Sequence, residues 1–392
     1  MNNKQYLKLS ALSLIAGCLF FALYNNWIII HIPWKQYSKE PTSHQVAYKK
    51  NNTLWYWYNN AWQHETKELV WSEQVTDNLT NLITSWLTLL NEENITDKKV
   101  SLQSVALSAS DTEAYISFDR NPLGKQWNTA TKLMVIEALL KTIRDAGIKI
   151  QTIRLLVHHQ PLHDHHLDFS HSWPVNGFLP ENNSPVAVHK NSTISAQKTI
   201  TIMIDPSGDA KNTGRIIDDN FERGITLQYA QELKKSLEEK LTNARIVLTR
   251  FPGESLEPLQ NATFANRLNT DLYIHISFYQ ETKNISQIFL YYFAYNPITD
   301  FWKKKHDKLH FYTYAQAHLA TIEQSYYYAT LVENYLRDHK KPYFILKPKI
   351  GIPFAPLIGV QAPALGVEIG LLKKDDWHMY IAPLTEAILS LT

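Results

Sequence analysis

From Thr199 onward, short apolar runs alternate with helical stretches, and no other feature of the chain narrows its fold so far. Thr199-Ile200-Thr201-Ile202-Met203-Ile204 is a strand that opens onto Asp205-Pro206-Ser207-Gly208, and a helix follows over about 225–240. Arg245-Ile246-Val247-Leu248-Thr249-Arg250 is the next strand, a helix ends at Phe264-Ala265-Asn266-Arg267-Leu268, and Leu272-Tyr273-Ile274-His275-Ile276-Ser277 returns as a strand. A strand over 288–293, a helix over 326–336 and a last strand over 364–369 complete the series. Strands separated by helices pair in parallel, so the C-terminal part is expected to be an α/β fold, its mostly parallel sheet flanked by helices. Side chains that act in such a sheet gather at the carboxyl ends of the strands.

Residues 46–173 follow a different order and predict a smaller α/β domain. Strands are expected over 54–58 and 68–71, the first turned by Asn59-Asn60. Leu79, Leu82, Ile83, Trp86, Leu87 and Leu90 form one apolar helical face. A hairpin turns at Ser110-Asp111, a second helix carries Leu133, Ile136, Leu139, Leu140 and Ile143 up to Gly147, and a strand covers 152–157. Six histidines come next: His158, His159, His163, His165, His166 and His171. With no i,i+4 pair on a helix they read as a solvated loop, a metal patch being the alternative. Residues 174–196 hold Pro174, Gly177, Pro180 and Pro185 with little periodicity and read as a linker to the domain 197–392.

A net charge of +2 sets up no field for nucleic acid. One cysteine, Cys18, excludes an internal disulfide and a cysteine zinc site. Lys4 and Lys8 precede an apolar run, Leu9 to Tyr24, and then Trp27-Ile28-Ile29-Ile30-His31-Ile32-Pro33-Trp34. Residues 1–34 are therefore expected to be a membrane anchor that leaves the body outside the cytoplasmic membrane, in the periplasm of a bacterium. The alternative is a lipoprotein signal, because Leu14-Ile15-Ala16-Gly17-Cys18 resembles a lipobox whose Cys18 would be acylated.

Near the C-terminus, Ala362-Pro363-Ala364-Leu365-Gly366-Val367-Glu368-Ile369-Gly370-Leu371-Leu372 delivers a carboxylate on an apolar strand. This run, with the element order of 199–392, resembles the zinc-dependent N-acetylmuramoyl-L-alanine amidases that cut peptidoglycan. The resemblance implies zinc held by a His after the first strand, a Glu opening the next helix and a His ending a central strand. It also implies a Glu on the last strand as general base. Two of the four are present, Glu222 at the helix start and Glu368 as the base. Gly208 and Ser277 stand where the histidines belong, and no histidine occurs between His189 and His275. Asn261 stands where the family has an arginine. A rebuilt metal site would have to draw on His275, Asp209 or Asp205 with Glu222. Without a cation two facing carboxylates repel, so their persistence argues that some cation stands between them, while Arg250 or a lysine is the alternative partner for Glu368.

The strand–helix–strand–strand–helix–strand order of 46–173, carried by Ala114-Tyr115-Ile116-Ser117-Phe118-Asp119, the helix over 129–146 and Ile153-Arg154-Leu155-Leu156-Val157, resembles the GerMN domain of spore-germination and cell-wall proteins. An insert from Asn296 to Gln324, with Phe301-Trp302-Lys303-Lys304-Lys305-His306, offers rings and lysines to a glycan or a protein. The expected function is that of an envelope protein with a degenerate amidase fold, binding peptidoglycan or organising envelope or cell-division partners. The alternatives are an active amidase using zinc in a rearranged site, and a purely architectural docking protein.

Overall fold

The computed structural model describes residues 13–17, 47–179, 199–257, 259–294, 312–339 and 341–391. The chain divides into Met1–Val46 and a single compact unit, Ala47–Thr392. In the first, residues 13–17 form an exposed helical turn; Cys18 and most of the expected anchor lie outside the described residues, and no described helix is long and apolar enough to cross a membrane.

The unit Ala47–Thr392 begins with an antiparallel hairpin, β1 (Tyr48–Tyr58) and β2 (Ala61–Trp71), longer than the two short strands expected. Asn59 and Asn60 both take positive φ, the conformation that tight hairpin turns require. Leu54, Leu69 and Trp71 are buried and lie in one core cluster with α1 (Val75–Glu92). Strands β3 (Leu102–Leu107) and β4 (Glu113–Phe118) are antiparallel. Helix α2 (Thr129–Asp145) then crosses over so that β5 (Thr152–Val157) runs parallel to β4. Asn128 caps α2 by accepting from the Thr131 N–H at 2.6 Å. Two-residue strands β6 (Gln160–Pro161) and β7 (Trp173–Pro174) pair with β5. Val175 and Phe178, at the start of the expected linker, are built into this core; residues 180–198 lie outside those described.

The C-terminal region carries β8 (Ile200–Pro206), a short hairpin β9 (Ile216–Ile217) and β10 (Asn220–Phe221), and α3 (Glu222–Lys240). It continues with β11 (Ala244–Leu248), α4 (Gln260–Arg267), β12 (Leu272–Gln280) and β13 (Ser286–Phe293). Helix α5 (Ile322–Asp338), β14 (Phe344–Leu346), β15 (Ile350–Ile352), β16 (Ala364–Leu371) and α6 (Ile381–Leu389) complete it. The seven-stranded sheet runs β11-β8-β12-β16-β13-β14, with β15 also on β13. β11, β8, β12 and β16 are mutually parallel and β13 is antiparallel to β16, so the expected mostly parallel sheet is present. The insert falls mainly on residues 295–311, outside the described ones.

The two faces of this sheet are covered differently. Alternate residues of β12 and β16 (Ile274, Ile276, Phe278; Leu365, Val367, Ile369) pack with Tyr229 and Leu233 of α3, Val332 of α5 and Ile388 of α6. On the other face Tyr273, Tyr279, Phe289, Tyr291 and Phe354 belong to the same apolar cluster as Trp86, Leu139 and Trp173 of the N-terminal region. That region roofs the sheet where the alternating pattern of β16 places Glu368.

Candidate functional site

Glu368 sits opposite Ser277 of β12 and Phe289 of β13 and is fully buried. Both carboxylate oxygens are taken. Oε1 accepts from the Thr129 N–H at 3.0 Å, the Thr129 hydroxyl at 2.8 Å and Arg215 Nη2 at 2.6 Å. Oε2 accepts from the Tyr291 hydroxyl at 2.8 Å and shares the Thr129 N–H at 3.1 Å. Thr129 is the first residue of α2, so the free N–H groups and positive end of that helix face the carboxylate.

Glu222 opens α3 and is also fully buried. It accepts from the Phe278 N–H at 2.9 Å through Oε1 and from the Arg215 N–H at 2.9 Å through Oε2. Between the two acids lies the Arg215 guanidinium, itself 1% exposed. Nη1 donates to the Phe278 carbonyl at 2.9 Å and stands 3.6 Å from Glu222 Oε1, while Nε donates to the Trp127 carbonyl at 3.1 Å. Burial works against the charge on Arg215, but Glu368 and then Glu222 outweigh it and hold its pKa above the usual arginine value.

Local sequence explains how Arg215 arrives there. Asp218 and Asp219 take positive φ and turn the β9–β10 hairpin, so the Glu222 N–H donates back to the Arg215 carbonyl at 2.8 Å. Gly214, with φ +75°, passes so close to Glu222 that a Cβ would stand 2.6 Å from Oε2. Arg215 is the residue that sequence reasoning missed. The aspartate pair and the glycine beside it were the available signal, but nothing in them tells which side chain fills the space between the acids.

The other expected positions are placed as follows. Gly208 has φ +80°, and a Cβ there would meet Arg223 Cβ at 2.8 Å. Ser277 is buried, its hydroxyl without a partner among the described residues. Arg250 donates to the carbonyls of Pro206, Ser207 and Arg223, so the suggestion that it pairs with Glu368 is corrected in favour of Arg215. Asp209 accepts from the Lys211 and Asn212 N–H groups at 2.6 and 2.7 Å. Burial raises its pKa, and hydrogen bonds from Asn212, Lys211 and Leu256 outweigh that and leave it below the ordinary value. His275 Nδ1 lies 2.6 Å from Asp205 Oδ2, and Asp205 Oδ1 accepts from the Thr249 hydroxyl and Asn261 Nδ2, both at 2.7 Å. The structure thus brings Glu222 and Glu368 together around Arg215, and leaves His275 and Asp209 with separate partners.

The histidine loop differs from the expected solvated one at a single residue. His158, His159, His163, His165 and His171 are exposed, whereas His166 is buried. The chain here is pinned to the sheet region: the Asp168 N–H donates to the Pro353 carbonyl at 2.8 Å and the Ala355 N–H to the His166 carbonyl at 2.9 Å. Asp164 Oδ2 takes Lys132 Nζ at 2.5 Å, and the same ammonium lies 3.4 Å from His166 Nδ1.

A zinc ion of the kind the resemblance implies does not fit these residues. A guanidinium stands between the two carboxylates, and positions 208 and 277 carry a glycine and a serine, neither a nitrogen ligand. Among the described residues no group of three or more His, Cys, Asp or Glu is placed to hold a metal.

Residues 202–383 match the family model of N-acetylmuramoyl-L-alanine amidases. The matched segment holds Glu222, Arg215, His275 and Glu368; Thr129 and His166 lie outside it. A comparison with curated proteins finds no match. Among solved structures, the catalytic domain of the amidase CwlV from Bacillus (Paenibacillus) polymyxa var. colistinus is 16% identical, with 49% of this chain and 95% of that one covered at a TM-score of 0.34. The amidase AmiC2 of Nostoc punctiforme is 18% identical, covering 49% and 94% at 0.34. The amidase of Clostridium difficile 630 is 17% identical, covering 50% and 95% at 0.35.

Proposed function

We propose that this is a cell-envelope protein whose amidase-like half binds peptidoglycan or organises envelope partners without hydrolysing the wall. In this reading an N-terminal anchor, or an acylated Cys18, holds a GerMN-like and an amidase-like region outside the cytoplasmic membrane. The observation that carries it is Arg215 between Glu222 and Glu368. A general base needs a lone pair facing the proton it removes. Both oxygens of Glu368 already accept from Thr129, Arg215 and Tyr291, beneath the N-terminal region. The resident cation that two facing acids demand is a side chain of the chain itself.

The test combines metal analysis with wall chemistry on the full chain. Purified protein should carry no stoichiometric zinc, should sediment with purified sacculi, and should release no stem peptides in excess zinc beyond a Glu368→Gln control. Stoichiometric zinc that vanishes in Glu222→Ala would sink the proposal. Protein that stays in the supernatant would leave a purely architectural role. The amidase match over 202–383 favours the second reading, an active enzyme with a rearranged site. That reading requires release of stem peptides, abolished by Glu368→Gln and by chelation.

A further inference from the structure

A cleft of about 500 Å³ opens between the N-terminal region and the sheet. Lys132, Asp164 and His166 line it from one side; His275 and Asn261 line it from the other. Lys132 lies on α2, the helix whose Thr129 holds Glu368, and Asp164 lies in the histidine loop. Their side chains are 3% and 7% exposed, and Lys132 Nζ stands 2.5 Å from Asp164 Oδ2, closer than the usual N–H···O contact of about 2.7–3.2 Å. The other carboxyl oxygen is fixed in place. Oδ1 accepts from the His166 and Leu167 N–H groups at 2.9 and 3.0 Å. His166 Nδ1 lies 3.4 Å from Lys132 Nζ and 3.8 Å from Asp164 Oδ1.

Such a pair is costly to keep ionised, because both charges have been taken out of water. Burial lowers the Lys132 pKa against Asp164, which raises it, and Arg215 adds to the lowering. Burial raises the Asp164 pKa, and Lys132, ahead of the His166 and Leu167 N–H groups, outweighs it and leaves it below the ordinary value. The charge on each partner therefore rests mainly on the charge of the other. Moving one proton from Nζ to Oδ2 removes both charges at once. A neutral amine then faces a carboxylic acid at contact distance, already in the geometry of an attack. Two backbone N–H groups meet the oxygen that would take up negative charge. Burial keeps His166 neutral, so its Nδ1 can offer Nζ a lone pair.

We propose that Lys132 and Asp164 join in an amide, an internal cross-link between α2 and the histidine loop. Nζ attacks Cγ, and the negative charge forms on Oδ1 between the His166 and Leu167 N–H groups. His166 Nδ1 takes a proton from the attacking nitrogen and returns it to the departing oxygen. The Nζ–Cγ bond forms, the Cγ–Oδ2 bond breaks, and Oδ2 leaves as water into the cleft. Two of the three ammonium protons depart in that water and the third stays on the amide nitrogen, so the step needs no co-reactant. The bond does for this chain what a disulfide cannot, since Cys18 is its single cysteine. It closes a loop between residues 132 and 164 that is itself pinned to the sheet region through Asp168 and Ala355, and such a closure restricts the unfolded chain. Both residues lie outside the segment 202–383, so the cross-link stands whether or not the chain binds the wall polymer.

The full chain is denatured and digested, and its peptides are weighed by mass spectrometry. The expected product is a branched peptide joining Lys132 to Asp164, one water molecule lighter than its two arms together, with neither arm recovered free. An ion pair alone would not survive denaturation. Lys132→Arg keeps the positive charge but lacks the amine, and should release both arms. His166→Gln should slow the reaction about a hundredfold, read as the branched fraction against time after synthesis. The wild-type digest decides the matter even if a variant fails to fold. Free peptides carrying unmodified Lys132 and Asp164 in the wild type overturn the proposal, as does a branched peptide that persists in Lys132→Arg. A wild-type rate in His166→Gln overturns the role given to that imidazole.

Discussion

Strands β12 and β16 carry two polar sites on one face, and the two are finished to different degrees. At Ser277 and Glu368 the acids are enclosed, with Arg215, Thr129 and Tyr291 meeting every oxygen of Glu368. Two residues back, at His275, the imidazole faces Asp205 but its outer nitrogen has no hydrogen-bond partner among the described residues, and His166 across the cleft is in the same condition. A buried polar network that is complete stabilises the fold and leaves no valence for chemistry; one that is incomplete remains open to a ligand. Glu222 and Glu368, the residues that the sequence resemblance singled out, therefore mark the enclosed site. The open one is assembled from both halves of the chain.

The comparison breaks most visibly at Arg215. Arg215→Met leaves two buried carboxylates without their cation and should cost about 3–5 kcal/mol in urea unfolding of the full chain. A loss below about 1 kcal/mol would show that the cage is not held by this ion pair. Thr129→Val removes the hydroxyl bond to Glu368 while keeping the backbone one. It should cost roughly 1.5–3 kcal/mol by the same measurement, since the acceptor is charged.

The cleft should respond to acid through His166. Burial first, then Arg215 and Lys132, hold the His166 pKa well below its ordinary value of 6.5. A group whose folded pKa is depressed in this way stays neutral in the native state while the unfolded chain takes up the proton. Its contribution is complete above about pH 6.5 and is lost as pH falls below that. His318, lowered to about 4, acts in the same direction. The decisive reading is therefore the difference between wild type and His166→Gln in melting temperature across pH 5 to 7. Parallel curves would remove His166 from the account.

The smallest effect sharpens the metal question. Gly208→His with Ser277→His restores the missing imidazoles in number, but position 208 has φ +80° and backs onto Arg223. A destabilisation of about 1 kcal/mol is expected from the backbone alone. Metal analysis should find no zinc while Arg215 is present, and uptake by the double variant would show that the guanidinium does not exclude the ion.

Much of the architecture was legible from local pattern. The alternation after Thr199 and the apolar runs 200–204, 272–277 and 364–369 became parallel neighbours because strands with both faces apolar must lie inside a sheet. Asn59-Asn60, Gly147 and the apolar helical face from Leu79 marked real turns and a real helix, since these signals act within a few residues. The absence of histidine at 208 and 277 was equally plain. What sequence could not supply was which distant side chains meet: Arg215 with Glu368, 153 residues apart, Thr129 with Glu368, 239 apart, and His166 with His275 across one cleft. Local propensity reaches a few residues along the chain, whereas a buried charge is settled by whatever group the packed layers bring beside it. That pairing was decided only when the N-terminal region closed over the sheet.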